Sequence, residues 1–185
     1  MERQLDRSPA PQPERRGFLK KISALLMGGV TALVPTAAGL AVFFDPLRRK
    51  SQAGASIRVT SLGSLPNDGT PRKFSIRADR SDAWNKYPHA PVGAVYLRRT
   101  GEKTVEALNV VCPHAGCFVD YRAADRSFFC PCHNSSFNVD GTIADLKSPS
   151  PRALDSLEVE IRHQTEVWVK FQNFRIGRAE KLPLA

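Results

Sequence analysis

Hydrophobic positions follow two different patterns along the chain, and the first is a long apolar run. Residues 22–44 form 23 consecutive positions without a charged side chain. About 20 apolar residues cross a bilayer core as a helix, whereas the apolar part of a secretory signal usually has about 7–15. The run is therefore predicted to be a transmembrane helix. A buried core helix is disfavoured because no face of the run is charged.

After residue 56, apolar and polar side chains alternate instead, which is typical of strands with one buried face. The alternation is clearest over residues 157–162 and 167–172, and turn signals such as Asp140-Gly141 separate the short runs. About 130 residues of this kind predict an all-β domain, one antiparallel sandwich or barrel. Residues 177–185 are expected to form a loose tail. The other predicted strands are residues 57–62, 73–77, 93–99, 104–111, 118–121 and 127–130.

The distribution of the formal net charge of +9 argues against nucleic-acid binding. Residues 1–50 carry nine Lys or Arg against four Asp or Glu, and residues 51–185 carry eighteen against fourteen. More than half of the excess therefore lies before the predicted domain. Inside the domain, acids and bases alternate without the clustered basic face that nucleic-acid binding needs. No nucleic-acid partner is expected.

The segment before the apolar run contains an export motif. Arg15-Arg16-Gly17-Phe18-Leu19-Lys20 resembles a twin-arginine translocation signal, which typically exports proteins already folded around a cofactor. Six Lys or Arg before the run favour an N-terminus in the cytoplasm, whereas Arg48, Arg49 and Lys50 after it oppose that orientation. The export motif decides the orientation. The chain is expected in the bacterial cytoplasmic (inner) membrane, with its domain on the periplasmic side.

These patterns predict four parts. Residues 1–21 form a cytoplasmic tail, residues 22–44 the anchor, residues 45–56 a polar hinge and residues 57–185 the head domain. Ala53-Gly54-Ala55 has the small residues of a cleavage site, but it lies well past the apolar run and behind three basic residues. The anchor is therefore expected to stay uncleaved.

All four cysteines, and half of the histidines, lie in two short boxes. Residues 112–117 read Cys-Pro-His-Ala-Gly-Cys, and residues 130–135 read Cys-Pro-Cys-His-Asn-Ser. Thiolate and imidazole bind soft or borderline metals. Two Cys and two His can hold either a tetrahedral zinc or an iron–sulfur pair. A zinc finger would not need the extra cysteine in each box, Cys117 and Cys132.

Together the boxes resemble those of the Rieske iron–sulfur proteins, above all the iron–sulfur subunit of cytochrome bc-type complexes. The resemblance extends over nearly the whole chain. It implies a Rieske-type antiparallel β sandwich with a small cluster-binding subdomain, here about residues 110–152. It also implies a [2Fe–2S] cluster with one iron bound by Cys112 and Cys130 and the other by His114 and His133. Two imidazoles in place of two thiolates make the cluster less negative, which raises its reduction potential.

Other residues of the boxes gain a role from the same resemblance. A disulfide between Cys117 and Cys132 would tie the two loops together. Ser135 stands where the family has a serine that donates a hydrogen bond to a bridging sulfide. Asn134 replaces the usual glycine, and Asn tolerates a positive φ better than most residues. Ser148-Pro149-Ser150-Pro151 resembles the proline loop that covers the cluster.

The resemblance implies that the chain is a subunit of a quinol–cytochrome c oxidoreductase. The subunit would not turn over a substrate by itself. His133 would contact the quinol, expected to be a menaquinol here, and accept one electron together with a proton. The head would then swing on the hinge toward a c-type cytochrome, with His114 at the electron exit. The implied partners are a cytochrome b subunit, the c-type cytochrome, quinol and the membrane.

Three alternatives stay open at this point. The chain could be the Rieske small subunit of an exported arsenite-oxidase-like molybdoenzyme, whose large molybdenum subunit would be a separate chain. A soluble Rieske ferredoxin is disfavoured by the export motif, the apolar run and the extra cysteine pair. A zinc-binding structural module does not explain the full pattern of the boxes.

One residue predicts where the reduction potential lies. High-potential members of the family have a tyrosine two residues after the serine, and its hydroxyl donates to a cysteine ligand, whereas this chain has Phe137. Because such hydrogen bonds stabilise the reduced, more negative state, their loss lowers the potential. We expect a midpoint in the lower part of the Rieske range of roughly −150 to +300 mV, suited to menaquinol. A potentiometric titration that places the midpoint near the top of the range would refute this.

Overall fold

The structure, a computed structural model, describes residues 15–48, 54–81 and 85–184. It divides into two units, Met1–Lys50 and Ser51–Ala185. Several predicted features lie outside the described residues. These are most of the tail, the middle of the hinge with Ala53 of the cleavage-like triplet, and the last residue of the chain.

The described part of the first unit is one helix, α1, over Arg15–Arg48. Its segment Gly17–Asp45 is long and apolar enough to cross a membrane, which agrees with the predicted anchor. The helix begins at the Arg15-Arg16 pair and continues past residue 44, so it includes positions that the sequence assigned to the tail and the hinge. The hydroxyls of Thr31 and Thr36 each donate to the carbonyl four residues earlier, at 2.7 and 2.8 Å. Such bonds satisfy hydroxyl groups inside an apolar helix.

The described part of the second unit is all-β, as predicted. Its strands pair antiparallel throughout and form three sheets, in the orders β1-β10-β9, β2-β3-β4-β8 and β5-β6-β7. The helical content of this part is one 3₁₀ turn at Leu62–Ser64. The strands are β1 Ser56–Ser61, β2 Arg72–Ser81, β3 Lys86–Arg99, β4 Val105–Asn109, β5 Asp120–Arg122, β6 Ser127–Cys130, β7 Ser135–Asn138, β8 Ser156–Leu157, β9 Val159–Arg162 and β10 Glu166–Lys170.

The sheet β2-β3-β4-β8 lies between two hydrophobic cores. Val95 and Leu97 on β3 are fully buried in the core shared with the sheet β1-β10-β9. Tyr96 stands between them in sequence and joins the other core, with Phe128 and Phe137 of the sheet β5-β6-β7. Successive side chains of a strand point to opposite faces, so one strand supplies both cores. The sandwich and the smaller sheet that carries the second box are therefore packed through a common middle layer.

Tyr96 also fixes the smaller sheet by hydrogen bonds. Its hydroxyl donates to the carbonyl of Val119 at 3.3 Å and accepts the backbone N–H of Tyr121 at 3.2 Å. Its ring centre lies 4.8 Å from that of Phe128. Burial raises the pKa of the Tyr96 hydroxyl, so it stays protonated and can donate. A buried hydroxyl with both functions used adds order as well as stability.

Two parts of the sheet differ from the predicted strands. The β2–β3 hairpin continues to Ser81 and Lys86, well beyond the predicted residues 73–77 and 93–99. The residues of its outer pairs are exposed on both faces of the hairpin. These pairs are held by backbone hydrogen bonds and bury no side chains, so their sequence shows little alternation of apolar and polar residues. Strand β7 was not predicted either, because its residues belong to the second box and to the turn after it.

The expectation of a loose C-terminal tail is wrong for the described residues 177–184. The N–H of Gly177 donates to the carbonyl of Pro113 at 2.7 Å. The N–H of Leu184 donates to the carbonyl of Asn173 at 2.9 Å, so the end of the chain folds back on the segment after β10. These bonds are made by backbone groups, which leave no periodic pattern in the sequence.

The packing of Gly93 against Phe171 gives a test of the first core. A Cβ built on Gly93 would overlap the ring of the buried Phe171, so Gly93→Ala must displace the ring or the strand. We expect a loss of about 1–3 kcal/mol in the free energy of unfolding, measured by urea denaturation. The control is Gly63→Ala, where nothing lies within 4 Å of an added Cβ. It should change stability by no more than about 0.5 kcal/mol, and equal losses in both variants would contradict the packing.

Candidate metal centre

The first box forms a tight loop after β4. The N–H of Cys112 donates to the carbonyl of Cys117 at 2.7 Å, and the N–H of Gly116 donates to the carbonyl of Cys112 at 3.0 Å. Gly116 has a φ of 82°, which favours glycine. A β-bridge between Val111 and Phe118 closes the base of the loop. The Gly-Cys ending of the box is thus what allows the chain to turn back at this point.

The second box forms the turn of the β6–β7 hairpin. Cys130 is the last residue of β6 and pairs with Ser135, the first residue of β7. The four residues between them make the turn, and Asn134 has a φ of 61°. The left-handed conformation expected at this position is therefore confirmed, with Asn in place of glycine. The hairpin register places Cys130 and Ser135 side by side below the exposed turn.

A disulfide joins the two loops. It connects Cys117 of the first box with Cys132 of the second, the pair that the resemblance implies. The remaining two cysteines, Cys112 and Cys130, are free thiols and each is 1% exposed. The sulfur atoms of Cys117, Cys130 and Cys132 lie within 4.8 Å of one another. Two of these three belong to the disulfide, so they are not a set of thiolates that could bind one ion.

The imidazoles of the two boxes lie together at the surface. The ring centres of His114 and His133 are 4.8 Å apart, with an angle of 84° between the ring planes. His133 is exposed and His114 is half-buried. The two loops therefore offer two histidines on the outer side and two buried thiols on the inner side.

The thiols have a low-polarity environment with one unusual hydroxyl. Burial raises the pKa of the Cys112 thiol, and the nearby Cys130 thiol also raises it, while the His114 backbone and the Ser135 hydroxyl act in the opposite direction. Ser135 is fully buried, and its hydroxyl has no hydrogen-bond partner of normal geometry among the residues that the structure describes. A buried hydroxyl without a partner costs roughly 1–3 kcal/mol, so this one is explained best by a further acceptor at the thiols.

This donor set fits a [2Fe–2S] cluster with mixed ligands. Two buried thiols on one side suit one iron, two imidazoles on the outer side suit the other, and the Ser135 hydroxyl is free to donate to a sulfide. Chemistry of this kind needs the two loops in one fixed arrangement, and the disulfide supplies that link.

A family comparison agrees with the geometry. The model of the Rieske [2Fe-2S] domain matches residues 63–162, which include both boxes and most of the head. The chain belongs to the Rieske [2Fe–2S] family. The cofactor of this Rieske domain is a [2Fe–2S] cluster, as the resemblance implied.

Three curated proteins show how similar other Rieske proteins are. The chain is 30% identical over 150 residues to the cytochrome b6-f complex iron-sulfur subunit of Chlorobaculum thiosulfatiphilum, covering 80% of this chain and 71% of that one. Identity to the chloroplastic cytochrome b6-f complex iron-sulfur subunit of Chlamydomonas reinhardtii is 31%, over 80% and 68%. Identity to the menaquinol:cytochrome c reductase iron-sulfur subunit of Geobacillus thermodenitrificans is 29%, over 80% and 86%.

One residue beside the site could not be predicted from the sequence. Asn109, the last residue of β4, is 1% exposed and its amide makes three hydrogen bonds. In one of these bonds, Oδ1 of Asn109 accepts the N–H of Val111, just before the first box. A lone Asn inside the predicted strand 104–111 has no pattern that distinguishes it from a surface residue, so only the structure identifies it.

The unpartnered hydroxyl of Ser135 gives a test of the fit. Because a buried hydroxyl without a partner of normal geometry is costly, Ser135→Ala should not destabilise the cluster-free protein and should stabilise it by up to about 3 kcal/mol. In the Rieske protein with its cluster, the same change should lower the midpoint potential, since a bond to the reduced state is lost. The control is Ser136→Ala on the opposite face of β7, which should leave the potential unchanged. An unaltered potential in Ser135→Ala would show that the hydroxyl does not meet the cluster.

Proposed function

We propose that this chain is the Rieske subunit of a membrane-bound quinol–cytochrome c oxidoreductase of the bc type. It takes one electron, with a proton, from quinol and passes it to a c-type cytochrome. The pairing of two buried thiols with two surface imidazoles supports this most directly. The curated relatives are named as subunits of such complexes, which favours this function over that of the small subunit of an arsenite-oxidase-like enzyme.

The ligand assignment follows from the chemistry of the donors. Cys112 and Cys130 would hold the inner iron, because their thiols are free and buried. His114 and His133 would hold the outer iron, because their rings lie close together on the outer side, with centres 4.8 Å apart. When bound, the cluster supplies a one-electron acceptor whose potential is raised by the two neutral imidazoles. The disulfide cysteines stay outside the ligand set and fix the distance between the loops.

His133 is the residue best placed to meet the quinol. It lies on the exposed turn of the β6–β7 hairpin, so a substrate in a partner subunit can reach its outer nitrogen. An imidazole on a ferric ion loses its outer proton more readily, because the charge of the metal favours the deprotonated form. His133 can therefore accept a hydrogen bond and then the proton from the quinol hydroxyl. His114, less exposed, is assigned to the electron exit.

The membrane arrangement uses both units of the chain. The helix over residues 17–45 anchors the protein as a single span, and the export motif supports a head on the periplasmic side of a bacterial membrane. The hinge connects the two units, and the head swings between a cytochrome b subunit and the c-type cytochrome. That the chain separates into two units at residues 50 and 51 supports this arrangement.

The side chain at position 137 and the name of one relative support a low reduction potential. Phe137 is fully buried in the second core, and a side chain without a hydroxyl offers no hydrogen bond to a cysteine ligand. One relative is named as a menaquinol:cytochrome c reductase subunit, which fits menaquinol as the donor.

Residues 148–151 are assigned to the proline loop that covers the cluster. Ser150 of this loop is buried, and its hydroxyl donates to the carbonyl of Arg152.

Replacing His133 tests the proposed function. Membranes that contain the unaltered chain should show a reduced-state electron paramagnetic resonance signal of the Rieske type, and His133→Asn should abolish it along with quinol oxidation. The control is His163→Asn, an exposed histidine in the β9–β10 turn, which should keep both. A signal that persists in His133→Asn would remove His133 from the ligand set. Intact protein that shows no signal would refute electron transfer.

A further inference from the structure

The chain after the last strand forms a closed segment of its own. We name residues 172–184 the C-terminal strap. Its two arms are joined by backbone bonds from Leu184 to Asn173 and from Arg175 to Leu182, at 2.9 and 2.8 Å. These bonds make a short folded unit out of residues that contain neither a strand nor a helix.

The strap contacts the first box on both sides of His114. The N–H of Gly177 donates to the carbonyl of Pro113 at 2.7 Å, and the φ of Gly177 is 68°, which favours glycine. On the other side, a Cβ built on Gly116 would meet the Cδ1 of Ile176 at 3.4 Å, so Ile176 packs directly on Gly116. The strap therefore supports the loop that presents one of the proposed ligands.

The start of the strap is fixed by Asn109. Its Nδ2 donates to the carbonyl of Gln172 and to Oδ1 of Asn173, both at 3.1 Å. Its Oδ1 accepts the N–H of Val111 at 3.0 Å. One buried amide thus connects the strap to the residues that lead into the first box. The Asn109 side chain uses its amide donor toward the strap and its amide acceptor toward Val111, so it fixes the position of the strap relative to the first box.

The other side of the strap reaches the residues after the proline loop. Nη1 of Arg152 donates to the carbonyl of Arg178 at 2.6 Å. The same guanidinium forms a two-point ion pair with Asp155, at 2.9 and 2.7 Å, and both side chains are at least nine-tenths buried. A paired, buried guanidinium has a fixed direction. The strap consequently links the first box with residues 148–151 through Arg152.

We propose that the C-terminal strap is a positioning element of the cluster site. It holds the first box and the proline loop in one arrangement and limits the access of water to the backbone around His114. Ile176, Gly177 and Asn109 are positioning residues, since they act through the backbone of the first box and of Val111 and not on the cluster itself. The inference rests on the ligand assignment proposed above, but a strap with this role goes beyond it.

The test uses the protein in membranes and compares five variants with the unaltered chain. Ile176→Ala removes the contact with Gly116, and a chain ending at Arg175 removes most of the strap. Leu182→Ala is the matched control, because Leu182 lies on the same strap and is 41% exposed against 46% for Ile176. Arg178→Ala is the second control, because only the carbonyl of Arg178 is used. Ile176→Val, which loses Cδ1 but keeps the Cγ2 at 3.7 Å from the same position, should lie between Ile176→Ala and the unaltered chain.

Two measurements distinguish positioning from general stability. Hydrogen–deuterium exchange of the Cys112 and Gly116 amides should be about tenfold faster in Ile176→Ala than in Leu182→Ala, because the loop opens more often. The midpoint potential should rise in Ile176→Ala and in the truncated chain, since water stabilises the more negative reduced state. Exchange and potential equal to those of Leu182→Ala would overturn the proposal, even if the melting temperature falls. Absence of a Rieske signal in the unaltered chain would instead overturn the ligand assignment, and the strap proposal with it.

Discussion

Tyr96 and Leu97 are neighbours on β3, and strand geometry sends their side chains to opposite faces of the middle sheet. Both are buried, so the middle sheet is covered on both sides, by the sheet β1-β10-β9 on one face and by β5-β6-β7 on the other. The second of these sheets presents one of the two boxes. A register slip of one residue in β3 would exchange the two cores and would also take the Tyr96 hydroxyl away from Val119 and Tyr121. The position of the metal centre is thus set by the same alternation that builds the fold.

The solvent exposure of the candidate ligand side chains increases from the inner to the outer side of the site. The Cys112 and Cys130 thiols are buried, His114 is half-buried and His133 is exposed. An electron carrier needs both conditions, because a dry interior limits side reactions and an exposed ligand shortens the path to a partner. Ser135 belongs to the dry part, and the described protein residues leave its hydroxyl free to meet the cofactor. Phe137 adds bulk below it without adding a donor.

The sequence predicts the all-β head, the anchor and the contents of both boxes, because each depends on a local pattern. The strict spacing of Cys and His in residues 112–117 and 130–135 is enough to name the family, and Asn134 adopts the positive φ that its type permits. Features without a local pattern were missed. The outer β2–β3 hairpin pairs through its backbone alone, and the strap depends on carbonyl and amide groups far apart in sequence. Asn109 became visible only through its partners 63 and 64 residues away.

The closeness of three sulfur atoms has a consequence for the order of assembly. The Cys130 sulfur lies within 4.8 Å of both sulfurs of the Cys117–Cys132 disulfide. A thiolate so near a disulfide can attack it and exchange partners, so an iron-free chain in an oxidising compartment is exposed to mispairing between the boxes. In the proposed ligand set, iron bound to Cys130 would occupy the attacking sulfur and prevent the exchange. Maturation is then safest when the metal is inserted first and the disulfide closes afterwards, which is the sequence of events that export of an already folded, cofactor-loaded protein would impose.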